Sequence, residues 1–268
     1  MDPAPRFRRY VALGDSSTEG LDDPDGAGGF RGWADRLAEH VARTSPELLY
    51  ANLAVRGRSA GEIRASQLAD AVVMRPDLAT VVAGMNDLLR GDWSADRVAG
   101  EVATMVRALR AVGATVITFT IPDLTPRVRL AGALSLAERT AGLNHALRRE
   151  AAEAGALLLD LAAFELSYDP RMWAVDRLHG NPAGHERIAD ELAVLLGLPG
   201  AASGLSRPLP PAPPRRRREV VVDDLRWVAR FVAPWAWRRL RGRTLGDGRG
   251  PKRPALTPVR AGPDAGEG

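Results

Sequence analysis

The sequence predicts an α/β fold built on a parallel sheet with helices on both faces. Two observations carry this expectation. Short apolar runs rich in β-branched residues recur through the first 200 residues, and the stretches between them are long enough for helices, as in Ser94 to Ala111, where apolar residues fall at helical spacing. Alternation of that kind is the signature of βαβ units, whose strands are covered on both sides and so read as continuous apolar runs.

The first run, Tyr10 to Leu13, ends in Gly14-Asp15-Ser16-Ser17-Thr18-Glu19-Gly20, a turn of small residues that presents a hydroxyl. The second, Leu48 to Leu53, is followed by Ala54-Val55-Arg56-Gly57, and the third, Leu78 to Ala83, by Gly84-Met85-Asn86-Asp87. Thr115 to Thr120 and Leu157 to Leu161 complete the set of five. Beyond the fifth, Asp176-Arg177-Leu178-His179 precedes a helix expected to start near Asn181-Pro182. Open sheets of this kind bind ligands outside the carboxyl ends of their strands, so one rim is expected to collect Ser16, Gly57, Asn86, Asp176 and His179.

Composition changes after Leu198. Residues 201–268 carry 15 Lys and Arg against 6 Asp and Glu, leaving 22 against 27 for residues 1–200, so the basic character belongs to the tail. Residues 1–198 read as a catalytic domain, 199–218 as a Pro- and Arg-rich linker holding Arg215 to Arg218, 219–243 as an amphipathic Arg- and Trp-rich helical segment interrupted at Pro234, and 244–268 as a disordered tail. There is no cysteine, which excludes disulfides, thiolate metal sites and a cysteine nucleophile. The N-terminus lacks the apolar stretch of a secretory signal, and no run reaches membrane-spanning length, so a cytoplasmic protein is expected, peripheral to a membrane at most.

A serine hydroxyl is a poor nucleophile until an imidazole takes its proton, and the imidazole works best when a carboxylate fixes its tautomer. Ser16, His179 and Asp176 supply these three groups, and the backbone N–H groups of Ser16 and Gly57 with the side-chain amide of Asn86 are candidate donors to a developing oxyanion. Each signal also has a plain reading. Gly-Asp-Ser is common in turns, Asn86 is a good cap, and a histidine at a helix start is often only a surface residue. What favours catalysis is four blocks in order along one rim. His185, His40 and His145 read as structural, Asp15 and Asp87 as turn-fixing groups, and Asp22-Asp23-Pro24-Asp25-Gly26 as a solvated loop that lacks the ligand spacing of a calcium site.

Those four blocks, Gly14-Asp15-Ser16 with Thr18, Asn52 to Gly57, Gly84 to Asp87, and Asp176 to His179 followed by Asn181, Gly184 and His185, resemble the SGNH hydrolases, also called the GDSL esterase/lipase family. The resemblance spans about residues 8–198. It implies a flavodoxin-like three-layer α/β/α sandwich with a five-stranded parallel sheet, to which this chain adds a basic helical tail. It also implies Ser16 as nucleophile, His179 as base, Asp176 as its partner, and Gly57 and Asn86 as oxyanion donors. Ser17 and Gly180 depart from the family's usual Leu and Pro at positions that supply no catalytic group. The Gly-x-Ser-x-Gly elbow of the other large serine-hydrolase fold is absent.

The reading is therefore a serine esterase that needs no cofactor and no metal, forms an acyl-enzyme on Ser16 and acts on a small-molecule or lipid ester, with thioesters and carbohydrate acyl esters included. An acyltransferase on the same site and a non-catalytic scaffold with a membrane-binding tail stand as alternatives. For the tail, packing on the catalytic domain or contact with an anionic membrane surface is favoured over nucleic acid, since no nucleic-acid module is recognised. The loops Leu21 to Phe30, Asp87 to Trp93 and Pro122 to Leu134 are expected to choose the substrate, the last being long enough for a lid.

Overall fold

A computed structural model describes residues 6–125, 133–211, 217–241 and 244–259. Its elements run β1 (Arg9–Gly14), α1 (Ser16–Glu19), α2 (Gly32–Thr44), β2 (Leu49–Asn52), α3 (Ala60–Val73), β3 (Leu78–Val82), α4 (Met85–Leu88), α5 (Ala95–Ala111), β4 (Thr115–Phe119), α6 (Ala133–Ala154), β5 (Leu157–Leu159) and α7 (Pro182–Leu195). All five expected strands are present. They lie parallel in the order β5-β4-β3-β1-β2, so the winding reverses between β1 and β3. Ligands bind in doubly wound sheets at this point of reversal, and both Ser16 and Asn86 follow the strands that flank it.

Strand alternation builds the three layers. Tyr10 and Ala12 face one side of β1, where Trp33, Leu37 and Val41 of α2 and Ile188 and Leu192 of α7 cover them. Val11 and Leu13 face the other, beneath Ile63 of α3, Val102 and Val106 of α5 and Leu143 and Leu147 of α6. Helix ends are set by local chemistry. Ser59 and Glu62 form a capping box at α3, and Asn181 accepts the Gly184 N–H at the start of α7, with Pro182 in the first turn, where no N–H is needed.

Beyond α7 the structure corrects three expectations. The linker is folded over its first half, with Leu205 buried in the core and Arg187 of α7 bonded to the carbonyls of Gly204 and Arg207. An apolar anchor and two carbonyl acceptors outweigh the extended preference of its prolines; residues 212–216, which include Arg215 and Arg216, lie outside the described residues. The helical segment starts two residues earlier than expected, at Arg217, and ends at Leu240, and ahead of Pro234 it widens rather than stops. α8 (Arg217–Trp227) runs through a wide turn at Val228–Val232 into α9 (Ala233–Leu240), with the Ala233 N–H bonded to the Val228 carbonyl. A widened turn of this kind absorbs the clash a proline ring makes with the preceding turn.

Third, residues 253–258 are a strand. β6 (Arg253–Pro258) pairs antiparallel with β2 and makes a sixth strand at the sheet edge. Its sequence has no apolar run because its pairing rests on backbone groups, helped by Arg253 stacked 5.2 Å over the Tyr50 ring. Residues 260–268 and residues 126–132 of the expected lid lie outside the described residues. No helix among the described residues is long and apolar enough to cross a membrane.

Candidate active site

Ser16 opens α1 at the carboxyl end of β1. Two devices fix the turn before it. Gln67 of α3 bonds both backbone groups of Gly14, accepting from its N–H and donating to its carbonyl at 2.9 Å each. A Cβ on Gly14 would fall 2.2 Å from Thr18 Oγ1, so glycine is required for α1 to fold back so tightly. Asp15 caps α1 by accepting the Ser17 N–H at 3.1 Å.

His179 reaches Ser16 from the turn between Trp173 and Gly180, whose ends form an isolated antiparallel bridge. Asp176 organises this turn with one carboxylate oxygen, which accepts the N–H groups of Leu178 and His179 at 3.0 and 3.1 Å. Its other oxygen lies 2.5 Å from His179 Nδ1, and His179 Nε2 lies 2.7 Å from Ser16 Oγ. Ser16, His179 and Asp176 are thus joined in one hydrogen-bonded chain. With an ionised Asp176 the imidazole carries its proton on Nδ1, which leaves Nε2 to accept the Ser16 hydroxyl proton.

Electrostatics favour that state. Burial is the largest influence on Asp176 and pushes its pKa up, but the hydrogen bond and charge of His179 with the two turn N–H groups outweigh it, and the carboxyl sits below the usual range. For His179, burial favours the neutral ring, while the bond to Asp176 and the charges of Asp176, Asp22 and Asp15 more than reverse this, so its pKa is raised. Asp22 was expected in a solvated loop. Its carboxylate instead stands 3.6 Å from His179 Nδ1, and its pKa is raised by burial and by the adjacent charge of Asp176.

Asp22, Asp176 and His179 also offer three ligand atoms within 4.8 Å of one another. A cation has no room between Nδ1 and the Asp176 oxygen, since metal bonds of about 2 Å to each would need a wider gap than the 2.5 Å seen. The rest of that loop is ordered as well. Asp23 is buried and holds Arg36 at 2.9 and 3.0 Å, and Asp25 accepts the N–H groups of Ala27 and Gly29.

Gly57 and Asn86 come to the same rim. Gly57 has a φ of 79°, a left-handed conformation that glycine adopts without strain. Asn86, in α4, donates from Nδ2 to Asp15 Oδ2 at 2.9 Å and to the Arg58 carbonyl at 3.0 Å, so its amide ties the ends of β1 and β2 to that of β3. Asp15 is fully enclosed there, and burial lifts its pKa to about 6. Asp87 accepts the Ala60 N–H at 3.0 Å, the turn-fixing role expected of it. His185 is buried, accepting the Trp33 N–H on Nδ1 and donating from Nε2 to the Leu21 carbonyl; burial depresses its pKa to about 4. His40 of α2 lies 3.2 Å from Asp190 of α7, and His145 is exposed on α6.

Sequence reasoning missed Gln67, Asp22 and Trp227. Trp227 of α8 is buried and donates from Nε1 to the Asp176 carbonyl at 2.7 Å. Its helical stripe was visible, but its partner lies in a different part of the chain.

Fold and rim together define a class, the doubly wound α/β proteins that gather a serine, a histidine and an aspartate at the point where the winding reverses. The family follows from residues 12–187, which match the GDSL-like Lipase/Acylhydrolase family; the chain belongs to that family and is a hydrolase acting on ester bonds. No curated protein matches the sequence. Solved structures share the fold. A catalytic variant of Axe2, an acetylxylan esterase from Geobacillus stearothermophilus, superposes with a TM-score of 0.60 at 17% identity over 74% of this chain and 97% of its own. The enzyme LAE5 from the metagenome of Lake Arreo gives 0.57 at 22% over 71% and 95%, and the psychrotrophic esterase EstA from Pseudoalteromonas 0.54 at 18% over 71% and 97%.

Proposed function

We propose that this chain is a serine esterase that hydrolyses its substrate through an acyl-enzyme on Ser16, with His179 as general base and acid and Asp176 as the partner that orients and charges it. The observation that carries the reading is the unbroken chain of 2.7 and 2.5 Å from Ser16 Oγ through the imidazole to Asp176. Ser16 Oγ attacks the ester carbonyl carbon while its proton passes to His179 Nε2, and the imidazolium is held by the Asp176 carboxylate. The carbonyl electrons move onto oxygen. Collapse of this intermediate expels the alcohol, which takes the proton from Nε2. Water then repeats the sequence on the acyl-enzyme, giving the free acid and Ser16 again.

For the oxyanion, the N–H of Ser16 is suited by its place at the start of a helix, where N–H groups have no partner within the helix. Gly57 N–H and Asn86 Nδ2 are the other donors in this reading; Asn86 serves by sharing a proton now given to Asp15 or Arg58. Loss of one such donor costs about 3 kcal/mol of transition-state stabilisation.

Because the fold neighbours include an acetylxylan esterase, p-nitrophenyl acetate and acetylated xylo-oligosaccharides are the first substrates to assay. Ser16→Ala is expected to lower kcat at least about 1,000-fold with circular dichroism and Tm unchanged. Wild-type turnover in that variant removes Ser16 from the chemistry.

A further inference from the structure

The family match ends at residue 187, yet segments beyond it return to the candidate site from two directions. α8 lies against the turn that carries Asp176 and His179. The Trp227 indole donates to the Asp176 carbonyl at 2.7 Å and the residue is 6% exposed, and the guanidinium of Arg177, which follows Asp176 in the chain, stacks 4.9 Å over that ring. Arg177 also pairs with Asp224 of α8 at 2.7 Å. On the other side, the Gly246 backbone packs on the Arg56 carbonyl so closely that a Cβ there would lie 2.1 Å from it, and Thr244 faces Gly57.

Arg177 explains why such a brace is needed. Its φ is 65°, in the left-handed region that an arginine enters only where surrounding contacts hold it. That conformation lets the Asp176 carboxylate cap the N–H groups of Leu178 and His179 while facing Nδ1. The carbonyl of Asp176 turns toward Trp227. The contacts of α8 thus bear on the backbone at Asp176 and the side chain at Arg177, the residues whose conformation sets the distance from acid to base.

We propose that Trp227, supported by Asp224, is a positioning residue for the Asp176–His179 turn, so that the C-terminal helix sets the geometry of the acid and base. The inference rests on the reading of Ser16, His179 and Asp176 as the reacting groups. It assigns α8 a part in the reaction without contact with substrate.

Trp227→Phe in the full-length chain keeps an aromatic ring, a smaller one, and removes the N–H. Its kcat is expected to fall about three- to tenfold, the worth of one neutral hydrogen bond, with KM unchanged. As the contact of Asp176 with His179 loosens, the imidazolium loses stabilisation, and the acid limb of kcat/KM moves to lower pH. The other titratable groups facing His179, Asp22, Asp15 and His185, are unaltered in the variant, as is Arg56 beside Asp22, and Arg177, which stacks on the substituted ring, belongs to the turn itself, so the shift reports the turn. The low-field proton resonance of His179 Nδ1–H is expected to move upfield, a readout that requires no substrate.

Asp224→Asn should move the same readouts in the same direction, and it decides the matter if Trp227→Phe does not fold. Leu225→Ala, on the outer side of the same helix at 66% exposure, should change none of them. A folded Trp227→Phe with wild-type kcat, acid limb and resonance, or with a lower Tm alone, overturns the proposal. If Ser16→Ala is inactive in the same assay, the acyl-enzyme reading survives that outcome; if Ser16→Ala is active, it is that reading which fails.

Discussion

At the scale of single residues, the site depends on two carboxylates of unequal standing beside one imidazole. Asp176 makes the 2.5 Å contact with Nδ1, and Asp22 adds its charge from 3.6 Å. In the proposed mechanism His179 accepts the Ser16 proton only when neutral, and its pKa is raised, so activity should be lost as pH falls through a value above the usual histidine range of about 6.5. In Asp22→Asn the imidazolium loses one stabilising charge. The acid limb of kcat/KM should then move to lower pH while hydrolysis persists; a limb that stays or moves up contradicts the role given to Asp22. The sequence did not reveal this, because Asp22-Asp23-Pro24-Asp25-Gly26 has the composition of a solvated loop. What separates its three acids is their partners, His179, Arg36 and the loop's own N–H groups, and the first lies far away in the chain. Ser16, His179 and Asp176 were legible because each is a reactive residue type set just beyond a strand or before a helix. Gln67 carried no such mark, being one polar residue in a helix that faces inward.

At the scale of elements, the five central strands were readable because strands covered on both faces must be apolar throughout. β6 was hidden for the opposite reason. It is a half-exposed edge strand whose pairing is dictated by the open edge of β2, and its two prolines argue against a strand anywhere but at an edge. Lys252, the single lysine of the chain, anchors its start. The ammonium donates to the carbonyls of Phe30 and Arg31 at 2.8 Å each and pairs with Asp35 at 2.9 Å, which fastens the C-terminal strand to the first turn of α2 and the loop preceding it. Lys252→Met keeps the length of the stem but abandons three acceptors. It should lower the unfolding free energy by about 2 kcal/mol in urea titrations, the worth of hydrogen bonds to a charged group. A stability equal to wild type would mean that β6 is held by its backbone pairing alone.

For the whole molecule, the winding order concentrates the chemistry. Reversal between β1 and β3 sets Ser16 and Asn86 side by side at the carboxyl ends of these strands, and the turn ahead of α7 brings His179 across to Ser16. The domain built by residues 12–187 is that of the GDSL-like lipases and acylhydrolases. The C-terminal segment then doubles back, burying Trp227 against Asp176 and adding a strand to the far edge of the sheet. The proposed chemistry requires Ser16 to be the one activated hydroxyl, and covalent labelling addresses this most directly. Treated with an alkyl fluorophosphonate and mapped by peptide mass spectrometry, the protein should carry a single adduct on Ser16, and His179→Ala should label at a small fraction of the wild-type rate. An adduct on another residue, or labelling of Ser16 at an undiminished rate without His179, would contradict it.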